Sequence, residues 1–207
     1  MRTVDGRLRV DFRIPHPASR IPHSAFRIRS SMRSFKVSVT KDYLVFASAH
    51  FITFAGHRCE PLHGHNYRVS VSLEGALDEE SWYVVDFSEL KRIMRQLCDE
   101  IDHKMLLPLR NPKLEVRERD GSVTVAYEGK QKYVFPVEDC ALLDIPNTTV
   151  EMLAQFLAAR LRAALSELGV RSLTAIELEV EENFGQSATY RESPVTDEAE
   201  PPRPRRA

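Results

Sequence analysis

Two histidines separated by a single residue give the strongest chemical signal in this sequence. His63 and His65 flank Gly64, and residues two apart in an extended backbone project to the same face. His50, earlier in the chain, supplies a third imidazole. Three neutral imidazoles leave one coordination position open, which is typical of catalytic rather than structural zinc. A solvated pair of loop histidines is the alternative that this spacing leaves open.

The composition is that of an ordinary globular protein. The chain has 207 residues, of which 43% are hydrophobic and 29% charged, so one domain with an insertion or tails is expected. A formal net charge of −1 gives no electrostatic reason to expect nucleic acid or an anionic membrane as partner. The sequence shows no apolar run long enough to span a bilayer and no apolar segment of a signal peptide.

The cysteines indicate a reducing compartment. They are three in number and widely spaced, at Cys59, Cys98 and Cys140, which argues against a disulfide framework. A cytoplasmic location is therefore expected, and Cys59 is then available as a free thiol.

Both ends of the chain differ from the middle. Residues 1–33 contain a near-repeat rich in Arg and Ser and poor in acidic residues. We interpret them as a disordered or spurious extension, with Met32 as the true start, rather than as a transit peptide. Residues 193–207 are rich in Pro, Glu and Arg and predict a disordered tail. The domain is then expected over residues 34–192.

Hydrophobic periodicity between these ends predicts strand, strand, helix, insert, helix, strand, strand. The predicted elements are strands at 35–40 (continuing toward His50), 66–74, 173–182 and 187–190, and helices at 87–98 and from 150 to Gly169. Residues 110–146 form a polar insert in which Glu128-Gly129-Lys130 predicts a β-hairpin and Asp120-Gly121 is a second turn signal. Two helices cannot cover both faces of a sheet, so the predicted class is α+β with both helices on one face. The other face and the sheet edges then favour an oligomer.

The order of the chemical residues resembles one known family. The shared pattern is Phe46-x-x-Ala49-His50, Gly56-His57-x-Cys59-x-x-x-His63-Gly64-His65-Asn66-Tyr67, Val85-Asp86-Phe87, Asp102-His103, Thr148-Thr149-x-Glu151 and Glu182. It resembles the 6-pyruvoyltetrahydropterin synthase superfamily over about residues 34–191. The Cys-x-x-x-His-Gly-His spacing is similar to that of the bacterial 6-carboxytetrahydropterin synthases of the queuosine pathway. The resemblance implies the tunnelling fold, a ββααββ unit assembled into a toroidal hexamer from two trimers.

The resemblance also implies roles for individual residues. His50, His63 and His65 match the zinc ligands. Cys59 matches the catalytic thiol. A free thiol has a pKa of about 8.5, so a thiolate at this position would need stabilisation, for instance by nearby cations.

Further roles fall on acidic, imidazole and hydroxyl groups. Asp102 and His103 match a proton relay, although a loop pair at a helix end is the simpler interpretation of these two alone. Glu182 matches the carboxylate that anchors the pterin, and strand alternation should place one of Glu181 and Glu182 in the pocket and the other in solvent. Thr148 and Thr149 are candidates for substrate contact or for a helix cap.

The implied activity is a zinc-dependent lyase. It would convert 7,8-dihydroneopterin triphosphate to 6-carboxy-5,6,7,8-tetrahydropterin and release acetaldehyde and triphosphate. Formation of 6-pyruvoyltetrahydropterin, or cleavage to a 6-hydroxymethyl pterin, is the alternative within the fold. A non-catalytic pterin- or zinc-binding module is the alternative from another class. The insert at 110–146 departs from compact bacterial members of the family and leaves the reaction open.

Overall fold

The computed structural model describes residues 34–193 of the chain, with two α-helices, one short 3₁₀ helix at Val137–Asp139 and nine strands in that part. The predicted extension at 1–33 and residues 194–207 of the predicted tail lie outside the described residues. The strands are β1 Phe35–His50, β2 His63–Gly75, β3 Lys104–Pro108, β4 Leu114–Arg119, β5 Ser122–Tyr127, β6 Lys130–Pro136, β7 Cys140–Leu143, β8 Leu173–Asn183 and β9 Gln186–Glu192. The helices are α1 Phe87–Asp99 and α2 Val150–Glu167.

The main sheet has six strands in the order β7-β3-β1-β2-β8-β9. The four predicted strands form its antiparallel part, and β1 and β2 are the predicted hairpin. At one edge β3 pairs parallel with β1, and β7 pairs parallel with β3. These two parallel strands were not predicted, because the apolar run of β3 shows no alternation and β7 has only four residues.

Both helices pack on one face of the main sheet, as predicted. The α1 helix begins after Asp86, whose carboxylate accepts a hydrogen bond from Ser88 N at 2.7 Å. Inward-facing residues of β1, β2 and β8 form one core with both helices; examples are Phe46, Val69 and Val180. On the opposite face, β2 and β8 carry polar and charged side chains, such as Ser70 and Glu179. The strands therefore alternate as half-buried strands do, which is why their period could be recognised in the sequence.

The insert forms a second, three-stranded sheet in the order β4-β5-β6 rather than a single hairpin. Its two tight turns, at Asp120-Gly121 and Glu128-Gly129, each have positive φ at both residues, as type I′ turns require. Both turn signals were visible in the sequence, but the first strand was not assigned. A second hydrophobic core joins this sheet to β3 and to Phe51, which is fully buried. The insert is therefore packed against the segment that follows β1.

No helix among residues 34–193 has the length and apolarity needed to cross a membrane.

Candidate metal centre and active site

Three histidines meet where β1 ends and β2 begins. His50 is the last residue of β1 and is paired in register with His63, the first residue of β2. His65 follows on the same face of β2, and the ligand nitrogens of the three imidazoles all lie within 4.8 Å of one another. The predicted pair thus lies in a strand rather than in the connecting loop, and the β1–β2 register brings His50 to it.

The backbone fixes the tautomers of two of these imidazoles. His50 Nδ1 lies 2.9 Å from the Thr148 carbonyl and His63 Nδ1 lies 3.0 Å from the Pro61 carbonyl. A carbonyl only accepts, so each Nδ1 carries the proton and each Nε2 keeps its lone pair. The two Nε2 atoms are 3.1 Å apart. Two lone pairs at that distance repel unless a cation lies between them.

The donor set fits a zinc ion. Tetrahedral zinc with Zn–N bonds of ~2.0–2.1 Å holds two ligand nitrogens about 3.3 Å apart, close to the observed 3.1 Å. Hydrogen bonds from the far nitrogens to carbonyls are the usual way in which proteins orient histidine ligands. Burial lowers the pKa of His50 to about 4, and the neighbouring imidazoles act in the same direction. His50 is therefore neutral at physiological pH, as a ligand must be.

Cys59 lies in the connection between β1 and β2, which is itself folded as a small hairpin. Cys59 forms an isolated bridge with Thr53, and Gly56 supplies a positive φ of 73° at the turn. The thiol is partly buried, and Lys132 Nζ lies 3.1 Å from its Sγ. Lys132 belongs to β6 of the insert. The sequence predicted a need for a cation here but not which residue provides it.

Glu60 places a carboxylate beside the histidines. Its Oε2 atom is buried, has no hydrogen-bond partner among the described residues, and lies 3.8 Å from His63 Nε2. Glu60 was not among the residues predicted from the sequence, although its position between Cys59 and His63 was a usable signal. A carboxylate in this position can accept a proton or approach a bound cation.

Tyr67 closes the inner side of the histidine cluster. Its ring stacks on Phe46 at a centroid distance of 4.7 Å and meets His50 and His65 edge to face. Its hydroxyl is buried without a hydrogen-bond partner among the described residues. Burial, and then the charges of Glu182 and Glu60, raise the pKa of Tyr67 well above its usual range, so the phenol stays protonated.

Because the Tyr67 hydroxyl is desolvated without a partner, Tyr67→Phe should not destabilise the metal-free protein. We expect the free energy of unfolding to stay constant or to rise by about 1 kcal/mol. The matched control is Tyr133→Phe, because the Tyr133 hydroxyl accepts a hydrogen bond from Leu62 N at 3.2 Å; it should lose about 1 kcal/mol. Urea unfolding of both variants measures the difference, and a larger loss in Tyr67→Phe than in Tyr133→Phe would contradict this account.

Asp102 and His103 lie just after α1 as a hydrogen-bonded pair. Asp102 Oδ1 accepts from Ala47 N at 2.7 Å and lies 3.0 Å from His103 Nδ1. Partial burial alone would raise the pKa of Asp102, but the Ala47 and His103 hydrogen bonds outweigh it and lower the pKa. The ionised carboxylate fixes the imidazole, and the exposed His103 ring lines a groove of ≈ 670 Å³ together with His65.

Glu181 and Glu182 line a second groove, of ≈ 320 Å³, which also contains His65. Glu182 is half-buried and its charge reaches Tyr67, which places it on the side of the histidines. The expectation that the other carboxylate faces solvent is wrong, since Glu181 is only 8% exposed. Glu181 keeps its place in the alternation, paired with Arg68 of β2 and Ser187 of β9, so its burial means that neighbouring side chains cover this face of β8.

The two threonines contact the protein itself. Thr148 is fully buried, its hydroxyl donates to the Phe51 carbonyl at 2.9 Å, and its own carbonyl orients His50. Thr149 occupies the N-cap position of α2 without a side-chain capping bond. Their assignment to substrate binding stays a prediction, while Thr148 has a visible role in positioning His50.

Comparisons with known proteins agree with the resemblance found in the sequence. Residues 38–193 match the family described as 6-pyruvoyl tetrahydropterin synthase. A Methanocaldococcus jannaschii protein, provisionally named 6-carboxy-5,6,7,8-tetrahydropterin synthase, is 40% identical over 148 residues, covering 72% of this chain and 90% of that protein. The 6-carboxy-5,6,7,8-tetrahydropterin synthase of Aquifex aeolicus is 28% identical over 141 residues, covering 66% and 77%.

A solved structure has the same fold. The crystal structure of 6-pyruvoyl tetrahydropterin synthase from Plasmodium vivax superimposes with a TM-score of 0.70 at 32% identity, over 78% of this chain and 99% of that one. A variant of the same protein in which a catalytic glutamate is replaced by alanine superimposes equally well, with a TM-score of 0.70 over the same shares. The predicted α+β fold class is thereby confirmed.

Proposed function

Because the chain belongs to the 6-pyruvoyl tetrahydropterin synthase family, we propose that it is a zinc-dependent lyase acting on 7,8-dihydroneopterin triphosphate. The proposed products are 6-carboxy-5,6,7,8-tetrahydropterin, acetaldehyde and triphosphate, a step of queuosine and 7-deazaguanine biosynthesis. The names of the M. jannaschii and A. aeolicus relatives support this choice of product. The observation that carries the proposal is the histidine cluster with two lone-pair nitrogens 3.1 Å apart.

His50, His63 and His65 would hold the zinc. When bound there, the ion would supply Lewis-acid polarisation of the substrate's side-chain oxygens and acidify the adjacent C–H bonds. His50 and His63 contribute the orientation of their nitrogens, which the carbonyls of Thr148 and Pro61 fix before any ligand arrives. Such preorganisation reduces the reorganisation needed when metal and substrate bind.

Proton transfer is assigned to Cys59 and to the Asp102–His103 pair. The Cys59 thiolate would accept a proton from the substrate side chain, and His103 would exchange a proton with the substrate oxygens. Asp102 holds the His103 ring through Nδ1, so that Nε2 is the nitrogen presented to the groove. Proton abstraction is thus assigned to Cys59 and proton return to His103.

Pterin binding is assigned to the groove that contains Glu182. A carboxylate can accept two parallel N–H bonds from the amino-pyrimidinone edge of a pterin, as it does from a guanidinium. The groove of ≈ 320 Å³ is bordered by His65, so a pterin held by Glu182 would direct its side chain toward the histidine cluster.

Cleavage of the side chain to a 6-hydroxymethyl pterin is the second candidate reaction. The observation that favours it is Glu60, whose buried Oε2 has no hydrogen-bond partner among the described residues and offers a second proton acceptor 3.8 Å from His63 Nε2. The P. vivax synthase contains a catalytic glutamate, which supports keeping this alternative.

Incubation of the zinc-loaded protein with 7,8-dihydroneopterin triphosphate, followed by mass spectrometry, separates the candidates. The proposed reaction gives 6-carboxytetrahydropterin with stoichiometric acetaldehyde. Detection of a 6-pyruvoyl or a 6-hydroxymethyl pterin instead would identify the corresponding alternative reaction. Binding of the substrate without any product would favour the non-catalytic pterin-binding module.

The proposed assembly is a cytoplasmic homo-hexamer built from two trimers. Two features support an oligomer: the six-stranded sheet ends in the edge strands β7 and β9, and large apolar side chains such as Phe35 and Tyr43 are exposed on β1. Light scattering of the purified protein should give the mass of six chains, and the mass of a single chain would contradict this assembly.

A further inference from the structure

The insert sheet is attached to the segment that carries Cys59. That segment, residues 51–62, joins β1 to β2 and is contacted by the residue before β4, by the β5–β6 turn and by β6. The contacts all join an insert side chain to the 51–62 segment: Lys113 Nζ to Phe54 O at 2.8 Å, Glu128 Oε1 to His57 Nδ1 at 2.8 Å, and Tyr133 OH to Leu62 N at 3.2 Å. The insert therefore restricts the position of the Cys59 segment rather than standing apart from it.

Lys132 of the insert contacts the thiol directly. Its ammonium lies 3.1 Å from Cys59 Sγ and donates to the Glu60 carbonyl at 3.2 Å. It also lies over aromatic faces, 5.7 Å from the centroid of Phe51 and 5.3 Å from that of Tyr133. Cation–π contacts of this kind partly offset the loss of hydration when an ammonium is half-buried. The ammonium is thus held in one place, directed at the sulfur.

The charge on Lys132 persists in this environment. Desolvation alone would lower the pKa of Lys132, but the contact with Cys59 and the neighbouring Tyr133 outweigh it and raise the pKa. Other titratable groups near the thiol or its lysine are Glu60 on the same segment and the Tyr127 and Tyr133 phenols on the insert. Glu60 opposes a negative charge on sulfur and the phenols are neutral, so Lys132 is the cation facing Cys59 from the insert.

We propose that Lys132 is a positioning residue that stabilises the Cys59 thiolate and fixes its direction, so that the insert supplies part of the active site. This proposal rests on the assignment of Cys59 to proton transfer. The thiol proton leaves to solvent water, and the thiolate remains paired with the Lys132 ammonium. The thiolate then accepts one proton from the substrate carbon and becomes a thiol, while Lys132 keeps its own proton throughout.

The test is the pH dependence of iodoacetamide alkylation at Cys59, measured by peptide mass spectrometry on the zinc-loaded full-length chain without substrate. Iodoacetamide reacts with the thiolate, so the rate reports the thiolate fraction at each pH.

Lys132→Met keeps the length of the side chain and removes its charge, and it should move the midpoint of the alkylation profile upward by about one pH unit or more. Lys132→Arg keeps the positive charge, so its alkylation midpoint should stay close to that of the wild type. Lys130→Met, an exposed lysine on the same strand, is the matched control and should leave the midpoint unchanged.

An unchanged midpoint in Lys132→Met, with native circular dichroism, would overturn the proposal. Lys132→Gln serves as a second uncharged variant, and the same outcome in it has the same meaning. A change of turnover without a change of the alkylation midpoint would assign Lys132 a merely structural role and also overturn it. Because alkylation needs no pterin, failure of the proposed reaction and failure of this inference are separate results.

Discussion

Replacing His63 or His65 by alanine should reduce bound zinc from about one ion per chain to a small fraction of that amount. Each substitution deletes one of three nitrogens that lie within 4.8 Å of one another, and two imidazoles on a protein surface rarely retain zinc against a chelator. Metal analysis after dialysis against a weak chelator measures the loss. Circular dichroism of the same samples shows whether the fold survives.

His57→Ala is the matched control for the histidine substitutions. His57 lies in the same connecting segment, but it is exposed and its Nδ1 is bonded to Glu128 Oε1 at 2.8 Å, outside the histidine cluster. It should retain the zinc of the wild type. Full stoichiometry in both His63→Ala and His65→Ala would show that the three-histidine site is wrong.

The histidine cluster could be anticipated from the sequence because its geometry is local. A His-x-His pair in an extended segment must share a face, and a hairpin between two alternating strands brings the end of the first next to the start of the second. What the sequence could not supply was the register, which sets His50 opposite His63. It also could not supply the Thr148 carbonyl that fixes the His50 tautomer, because that contact joins β1 to the start of α2.

The contribution of the insert could not be predicted for the same reason. Lys132 and Cys59 are 73 positions apart, and they meet only because the insert sheet packs on Phe51 and β3. Nothing in the neighbourhood of Lys132 distinguishes it from Lys130 in the sequence. Alternation also could not reveal that Glu181 is buried, because the side chains that cover it come from elsewhere in the fold and not from its own strand.

Cys59→Ala and Glu182→Gln should produce opposite losses on a scaffold that keeps its zinc. Cys59→Ala removes the proposed proton acceptor but no zinc ligand, so zinc and pterin affinity should stay near the wild-type values. Turnover should fall by about 100-fold or more, the usual contribution of a positioned acid–base group.

Glu182→Gln should keep zinc and weaken pterin binding, because the amide offers one acceptor and an unwanted donor where the carboxylate offered two acceptors. Single-turnover rates and pterin titrations on both variants separate the two effects.

The controls for this pair are Cys140→Ala and Glu181→Gln. Cys140 is partly buried and its Sγ contacts the Pro136 carbonyl at 3.3 Å, so its loss should leave turnover unchanged. Glu181 shares the groove with Glu182 but lies on the other side of β8, so Glu181→Gln should weaken pterin binding less than Glu182→Gln. A greater loss of pterin affinity in Glu181→Gln would transfer the anchoring role to Glu181. Wild-type turnover in Cys59→Ala would exclude the thiol as the proton acceptor and leave Glu60, whose buried carboxylate oxygen lies 3.8 Å from His63 Nε2, as the candidate base.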